Sequence, residues 1–382
     1  MLGSRDLKSH FLLDPEIAFL NHGSFGACPR PVFEAYQRYQ RELEREPVDF
    51  LQRTFPPMMR AARGSLARFL GCGADDVSFV RNATYGMNLA ARSVRVGAGD
   101  TVVSTDLEYG AVDRMWQTIC NESGAKLVRA NIPLPAASPD EVVEAVAEHL
   151  DSSVRVASFS HIAAEAGQRF PVERLVRLAA EAGTVSVVDG AHAPGQLPLD
   201  LATLGADFYV GNCHKWMLSP KGAAFVYASE EWASKIRPPV VSWGDISEGT
   251  SSLLLENEWQ GTADISAFLA VADAIEFLEQ HRWLDEIVPR CAQLISDADL
   301  ALLGATGQES LYQSAELRLP QISTYRLPDC DHRALHADLY HRFQVEVPVF
   351  ETPHGCLLRV SVQGYNSASD LERLVAALEE LL

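Results

Sequence analysis

No uncharged apolar run in this chain reaches the roughly 18 residues that a membrane-spanning helix needs, and the opening Met-Leu-Gly-Ser-Arg-Asp-Leu-Lys-Ser-His holds no apolar signal core. The expected location is therefore cytoplasmic. Basic charge is scarce: 32 lysines and arginines stand against 51 acids, giving a formal net charge of -19. A surface so acidic argues against nucleic acid as the main partner, because phosphate backbones are held by clustered Lys and Arg. The seven cysteines (28, 72, 120, 213, 291, 330, 356) are scattered and include no Cys-x-x-Cys pair. That pattern predicts reduced thiols, with neither a disulfide framework nor a metal site. No Gly-x-Gly-x-x-Gly follows the first strand, so a nicotinamide-dependent dehydrogenase has no support. Internal repeats and low-complexity tracts are also missing. What remains is an ordinary globular composition, 47% hydrophobic and 22% charged, on a chain of 382 residues that can build two domains.

Residues 31–70 have helical periodicity, with Val32, Phe33, Tyr36, Tyr39 and Leu43 at three- and four-residue steps. Pro56-Pro57 is expected to reset the chain before a second helix over 58–69. Apolar strand candidates then alternate with helices. The strands are read at 76–80, 101–104, 126–130, 154–159, 184–188, 206–211 and 223–227. Helices are read from about 84 and about 110, and over 139–150 and 172–182. This alternation predicts an α/β fold built on a mainly parallel, doubly wound sheet. Pro238-Pro239 and the Gly/Ser-rich stretch 244–252 mark a boundary. Residues 20–243 are expected to form a large domain and 244–382 a smaller C-terminal α+β domain that includes a linker helix over 266–280. Its strands are expected at 322–326 and 357–362 and its helices at 334–343 and 368–381, with residues 1–19 packing on it.

In open sheets of this kind ligands bind beyond the carboxyl ends of the strands. Asn82-Ala83-Thr84, Tyr109, His161, Asp189, His192 and Lys215 all fall at such ends. One apolar strand runs into Asp189-Gly190-Ala191-His192, and the next into Asn212-Cys213-His214-Lys215-Trp216. A lysine after a strand is ordinarily a surface residue, and an aspartate there ordinarily caps a helix. In this order they have a joint use in a pyridoxal phosphate (PLP) site. The lysine forms an imine with the cofactor aldehyde, and the acid keeps the pyridine nitrogen protonated so that the ring can act as an electron sink.

The other candidates gather around that pair. Asn82-Ala83-Thr84 opens a helix whose free N–H groups can hold a phosphate, and Asn212 is placed to hydrogen-bond the same group. Tyr109 either stacks on the pyridine face or packs in the core. His192 can donate to the phenolic oxygen of the cofactor. His214 either packs on the cofactor or orients Lys215. Arg359 is an arginine inside an apolar strand and needs a carboxylate partner, which is either a protein acid or the α-carboxylate of an amino-acid substrate.

These residues resemble the class V aminotransferase-like group of fold-type I PLP enzymes, and most closely the isopenicillin N epimerase family. The resemblance is carried by Leu20-Asn21-His22-Gly23-Ser24-Phe25-Gly26, Glu46-Pro47-Val48-Asp49-Phe50-Leu51, Asn82-Ala83-Thr84 and the run from Val188-Asp189 to Pro194-Gly195. Asp207-Phe208-Tyr209, His214-Lys215-Trp216, Val241-Ser242-Trp243 and Leu358-Arg359-Val360-Ser361 complete it. It implies that Lys215, Asp189 and His192 are catalytic. It gives Ala83, Thr84, Asn212 and His214 to the phosphate, Tyr109 to the ring, and Arg359 to the substrate carboxylate, with Asn21 and His22 at the substrate end. The group is dimeric, and Gly261-Thr262 resembles the pair that reaches the partner's cofactor phosphate. Two departures matter. Ala164 stands where cysteine desulfurases usually carry an asparagine that touches the cofactor. Cys356 lies too close to Arg359 to be their mobile persulfide cysteine, and Cys213 reads as packing.

The expected activity is PLP chemistry at Cα of an amino acid or small peptide-like amino substrate. Epimerase-like chemistry comes first, β-elimination (a C–S lyase) second and transamination third. Tyr109 and His22 are the candidates for the second acid that epimerisation requires. The expectation of another class is a non-catalytic PLP-binding protein.

Overall fold

The computed structural model describes residues 7–242 and 252–382. Two long helices, α1 (Arg30–Arg45) and α2 (Phe55–Leu70), lead into the sheet region. Pro56 and Pro57 lie within the first turn of α2, which a π-helical turn, Phe50–Thr54, precedes directly. The expected break between helices is therefore absent there. A first-turn proline gives up no intrahelical hydrogen bond, so the pair starts the helix without interrupting the chain.

Strands and helices then alternate. They run β1 (Val77–Val80), α3 (Ala83–Val94), β2 (Thr101–Thr105), α4 (Gly110–Ser123), β3 (Lys126–Ala130), α5 (Pro139–Ala147), β4 (Val154–Ser160), α6 (Val172–Glu181), β5 (Val185–Asp189), β6 (Phe208–Asn212) and β7 (Ala224–Ala228). The seven strands form one sheet in the order β1-β7-β6-β5-β4-β2-β3. The neighbours from β6 across to β3 pair in parallel, and β7 pairs antiparallel with both β1 and β6. Every residue of β1, β2, β5, β6 and β7 is buried, as expected of strands covered on both faces. The edge strand β3 is largely accessible, and β4 is buried except at Arg155.

Beyond the sheet come α7 (Ser266–Gln280), α8 (Val288–Thr306), β8 (Ile322–Arg326), α9 (His332–Phe343), β9 (Val349–Thr352), β10 (Gly355–Ser361) and α10 (Ala368–Leu381). Helix α7 packs against α1 and α2. Strands β8, β10 and β9 form a separate antiparallel sheet in that order. The N-terminal segment joins this region: Ala18–Phe19 pairs in parallel with Val345–Glu346, and Asn21 bridges to Ser361. Most of the Gly/Ser-rich stretch expected to mark a boundary, together with Trp243, falls at 243–251, outside the described residues. No helix among the described residues is long and apolar enough to cross a membrane.

Candidate active site

The carboxyl ends of β1, β2, β4, β5 and β6 open into one cavity of about 520 Å³, a size suited to a cofactor with a small substrate. Lys215 reaches it from the turn after β6. That turn is pinned by Trp216, which is fully buried. Two glycines permit the close packing around it. Gly26 (φ 70°) faces the carbonyl of His214, and Gly195 (φ 86°) faces the backbone of Trp216; a Cβ at either position would collide with main chain.

The ionisation of Lys215 follows from its neighbours. Its Nζ lies 2.9 Å from His192 Nε2, and the Trp216 indole N–H donates to His192 Nδ1 at 3.3 Å. An indole N–H can only donate, so Nδ1 presents its lone pair and the neutral ring carries its proton on Nε2. Lys215 must then accept that proton's hydrogen bond, which only an uncharged amine can do. Electrostatics agree. Burial, followed by the nearby Arg359 charge, holds Lys215 down at about 7, and burial keeps His192 well below its usual range.

Asp189 ends β5 and lines the same cavity. One carboxylate oxygen accepts the Ala191 N–H at 2.9 Å; the other has no partner among the described residues. Burial raises its pKa, so a cation placed against that oxygen would be stabilised. Beside it lies a buried acid that the sequence reading passed over. Glu108 accepts from Thr105 Oγ1 at 2.7 Å and from the Ser160 N–H and hydroxyl at 3.0 and 2.7 Å. Burial pushes its carboxyl up to about 7. Glu108 thereby ties the turn that carries Tyr109 to the end of β4, where Ser160 pairs with Asp189.

At the cavity end near α3, Asn212 Oδ1 accepts the Ala83 N–H at 2.9 Å and Asn82 caps the Tyr85 N–H. Ala83 thus has no spare donor, contrary to the simple picture of free helix-terminal N–H groups. The Thr84 N–H and hydroxyl and the Asn212 side-chain amide take no partner among the described residues and remain available to a phosphate. His214 places Nδ1 3.0 Å from the Ala223 carbonyl, and burial lowers its pKa to about 4. Its neutral ring therefore offers a lone pair at Nε2, and it would hold a phosphate only on taking up a proton. Arg81 also lines this end.

At the other end is Arg359, on β10, only 3% exposed. It donates through Nη1 to the Ala164 carbonyl at 2.7 Å and through Nη2 to Ser24 Oγ at 3.0 Å, and it lies over the Phe350 ring at 5.3 Å. Its Nε has no partner, and no carboxylate among the described residues comes within the 4.0 Å of an ion pair. The protein-acid partner that the sequence left open is not supplied. Gly23, Ser24, Phe25, Ile162, Glu165 and Phe350 complete this end.

Four expected residues stand elsewhere. His22 is fully buried off the cavity wall, with Nδ1 2.9 Å from Tyr365 Oη and Nε2 3.1 Å from the Lys215 carbonyl. Burial lowers it to about 3, so it is a neutral strut beneath the lysine turn. Asn21 donates to Glu346 and accepts from Ser24, and so meets Arg359 only through that serine. His161 follows β4 but turns its ring to Tyr209 Oη at 2.8 Å. Thr262 is exposed and does not line the cavity of its own chain.

A cavity that joins an uncharged lysine, a strand-end acid with an open oxygen, unspent phosphate donors and an unpaired buried arginine is matched by a PLP enzyme of fold type I. The chain belongs to the class V aminotransferase family, whose model matches residues 27–374. It is 36% identical to the isopenicillin N epimerase of Amycolatopsis lactamdurans, over 97% of this chain and 96% of that one. It is 29% identical to a probable chloroplastic L-cysteine desulfhydrase of Arabidopsis thaliana, over 100% of this chain and 86% of the relative. The solved apo cysteine desulfurase from Thermococcus onnurineus superposes with a TM-score of 0.85 at 21% identity, covering 100% of this chain and 98% of that one, and so shares the fold. The protein is a PLP-dependent enzyme of this family.

Proposed function

We propose that the enzyme epimerises an amino acid or small peptide-like amino compound at Cα. The observation that carries the amino-acid substrate is Arg359, a buried guanidinium with no carboxylate partner among the described residues that faces the same cavity as Lys215. Epimerisation is placed first on the similarity to isopenicillin N epimerase. A substrate α-carboxylate would supply the missing partner through a charge-assisted fork. Lys215, Asp189 and His192 are the catalytic residues on this reading. Asp189 would hold the pyridine nitrogen, His192 the phenolic oxygen, Tyr109 the ring face, and Thr84, Asn212 and protonated His214 the phosphate, with Ala83 fixing Asn212. PLP, when bound, draws electron density from Cα and makes its proton removable by an amine. Lys215 Nζ, uncharged above about pH 7, takes that proton. His192 Nε2 orients the amine, and Trp216 fixes which nitrogen of His192 carries the hydrogen.

Inversion needs an acid on the opposite side. His22 has both ring nitrogens engaged, whereas Tyr109 lines the cavity and is 50% exposed. Of the two candidates, Tyr109 is therefore the one we assign. The second reading is β-elimination from a cysteine-type substrate, favoured by the relative named L-cysteine desulfhydrase. Both start with the same proton removal, and transamination, the third, does too. A homodimer, with the partner's Thr262 completing the phosphate end, accords with the exposure of Phe25 (72%) and Tyr109 at the cavity mouth. The expected setting is cytoplasmic. The test is to incubate the loaded enzyme with L-amino acids and cysteine conjugates in deuterated water. The proposal expects Cα deuterium with loss of optical purity; sulfide with pyruvate would replace it by the lyase reading, and neither product would reject both.

A further inference from the structure

Glu165 lies on the tight turn between the short strands Ile162–Ala163 and Gln168–Arg169. It directly follows Ala164, whose carbonyl receives Arg359. Its own carbonyl accepts from Thr324 Oγ1 at 3.1 Å, so the turn is held while the side chain stays exposed. The residue lines the substrate end of the cavity. Among the described residues its carboxylate makes no hydrogen bond or ion pair. It interacts electrostatically with Arg359, yet is not within ion-pair distance of it. Phe25, Ile162 and Phe350 supply apolar wall at the same end, beside Ser24 and Arg359.

The structure assigns Glu165 the recognition of the substrate's side chain, and it points to amino acids whose side chain ends in an ammonium or a comparable hydrogen-bond donor. The inference rests on the reading of Arg359 as the α-carboxylate site. With the carboxylate on Arg359, and the amino group and the Cα hydrogen directed to the cofactor and Lys215, the side chain is the substituent left to meet Glu165. A cationic end would gain a partner there. An anionic end would meet an uncompensated negative charge, and a plain alkyl end would leave the carboxylate to water. At a solvent-exposed mouth, one such charge contact changes affinity by roughly two- to fivefold.

The test uses the full-length, PLP-loaded enzyme and three amino acids of similar length, L-ornithine, L-norvaline and L-glutamate. Apparent dissociation constants are read from the change in cofactor absorbance on titration, independently of turnover. The expected order is ornithine tightest and glutamate weakest, with neighbouring ligands separated roughly two- to fivefold. Glu165→Gln should compress the order, Glu165→Asp should retain part of it, and Glu165→Lys should reverse it. Binding of all three with equal affinity, or an unchanged order in Glu165→Gln and Glu165→Lys, would overturn the inference and leave the amino-acid reading standing. Absence of binding by all three would reject that reading and the inference with it.

Discussion

Replacing Arg359 by glutamine separates what the arginine costs the fold from what it contributes to the site. Burial lowers the guanidinium to about 10 from its ordinary value, a penalty of roughly 3 kcal/mol. At neutral pH the group is charged in both folded and unfolded chains, so the penalty is present in full. Against it stand hydrogen bonds to Ala164 and Ser24 and the contact with Phe350, at about 1 kcal/mol each. The two sides nearly cancel, so the apoenzyme carrying Arg359→Gln should melt within a few degrees of the wild type. Substrate binding should respond differently. Loss of a bidentate, charge-assisted carboxylate contact costs about 3–4 kcal/mol, or roughly 10²- to 10³-fold in kcat/KM. The assay compares an amino acid with its primary amide. The wild type should prefer the acid strongly, and the variant should treat the two alike. An equal loss on both compounds would refute the carboxylate role and make Arg359 structural; an unchanged preference for the acid would place the carboxylate elsewhere.

Two further outcomes test the lysine's surroundings. Folded Lys215 titrates at about 7 and an unfolded lysine at roughly 10.4, so between these values the unfolded chain holds the extra proton and wild-type apoenzyme stability rises with pH. Apo Lys215→Met lacks this dependence; it should melt above the wild type near pH 7, by a few kcal/mol at most, and the gap should close toward about pH 10. Trp216→Phe removes the donor that keeps His192 Nδ1 bare, a bond worth about 1 kcal/mol. His192 can then accept from a lysine ammonium, and the pH dependence of PLP uptake by the apoenzyme should move upward by up to about one pH unit, whereas a purely packing role for Trp216 would leave it unmoved.

The sheet and its ligand edge were legible in the sequence because each buried strand is an apolar run that ends abruptly in turn chemistry, as at Val188-Asp189-Gly190 and Gly211-Asn212. Strand direction was not legible. A strand buried on both faces reads the same either way, and β7 is the one that runs against its neighbours. Helix α8 and strand β9 went unread. The buried positions of α8, Val288, Cys291, Ile295, Leu302 and Thr306, skip from 295 to 302, and the apolar Leu300 between them faces solvent. Strand β9 follows Pro348 and has no fully buried residue. In the site, Asp189, Lys215 and Arg359 carried their own signal as charges against apolar strands. The place of His22 did not, since its partner Tyr365 lies 343 residues away. Glu108 stood in the same short segment as Tyr109, and its run of acceptor contacts became visible only when β4 was laid beside it. The spending of the Ala83 N–H on Asn212 is a detail of three-dimensional capping that spacing cannot show.

Reduction of the loaded enzyme with borohydride, followed by peptide mapping, tests the central claim most directly. It should fix the reduced cofactor on the peptide containing Lys215, and Lys215→Met should abolish the label while leaving the fold intact. A label on Lys221, the next lysine after β6, or no label in the wild type, would contradict the assignment of Lys215.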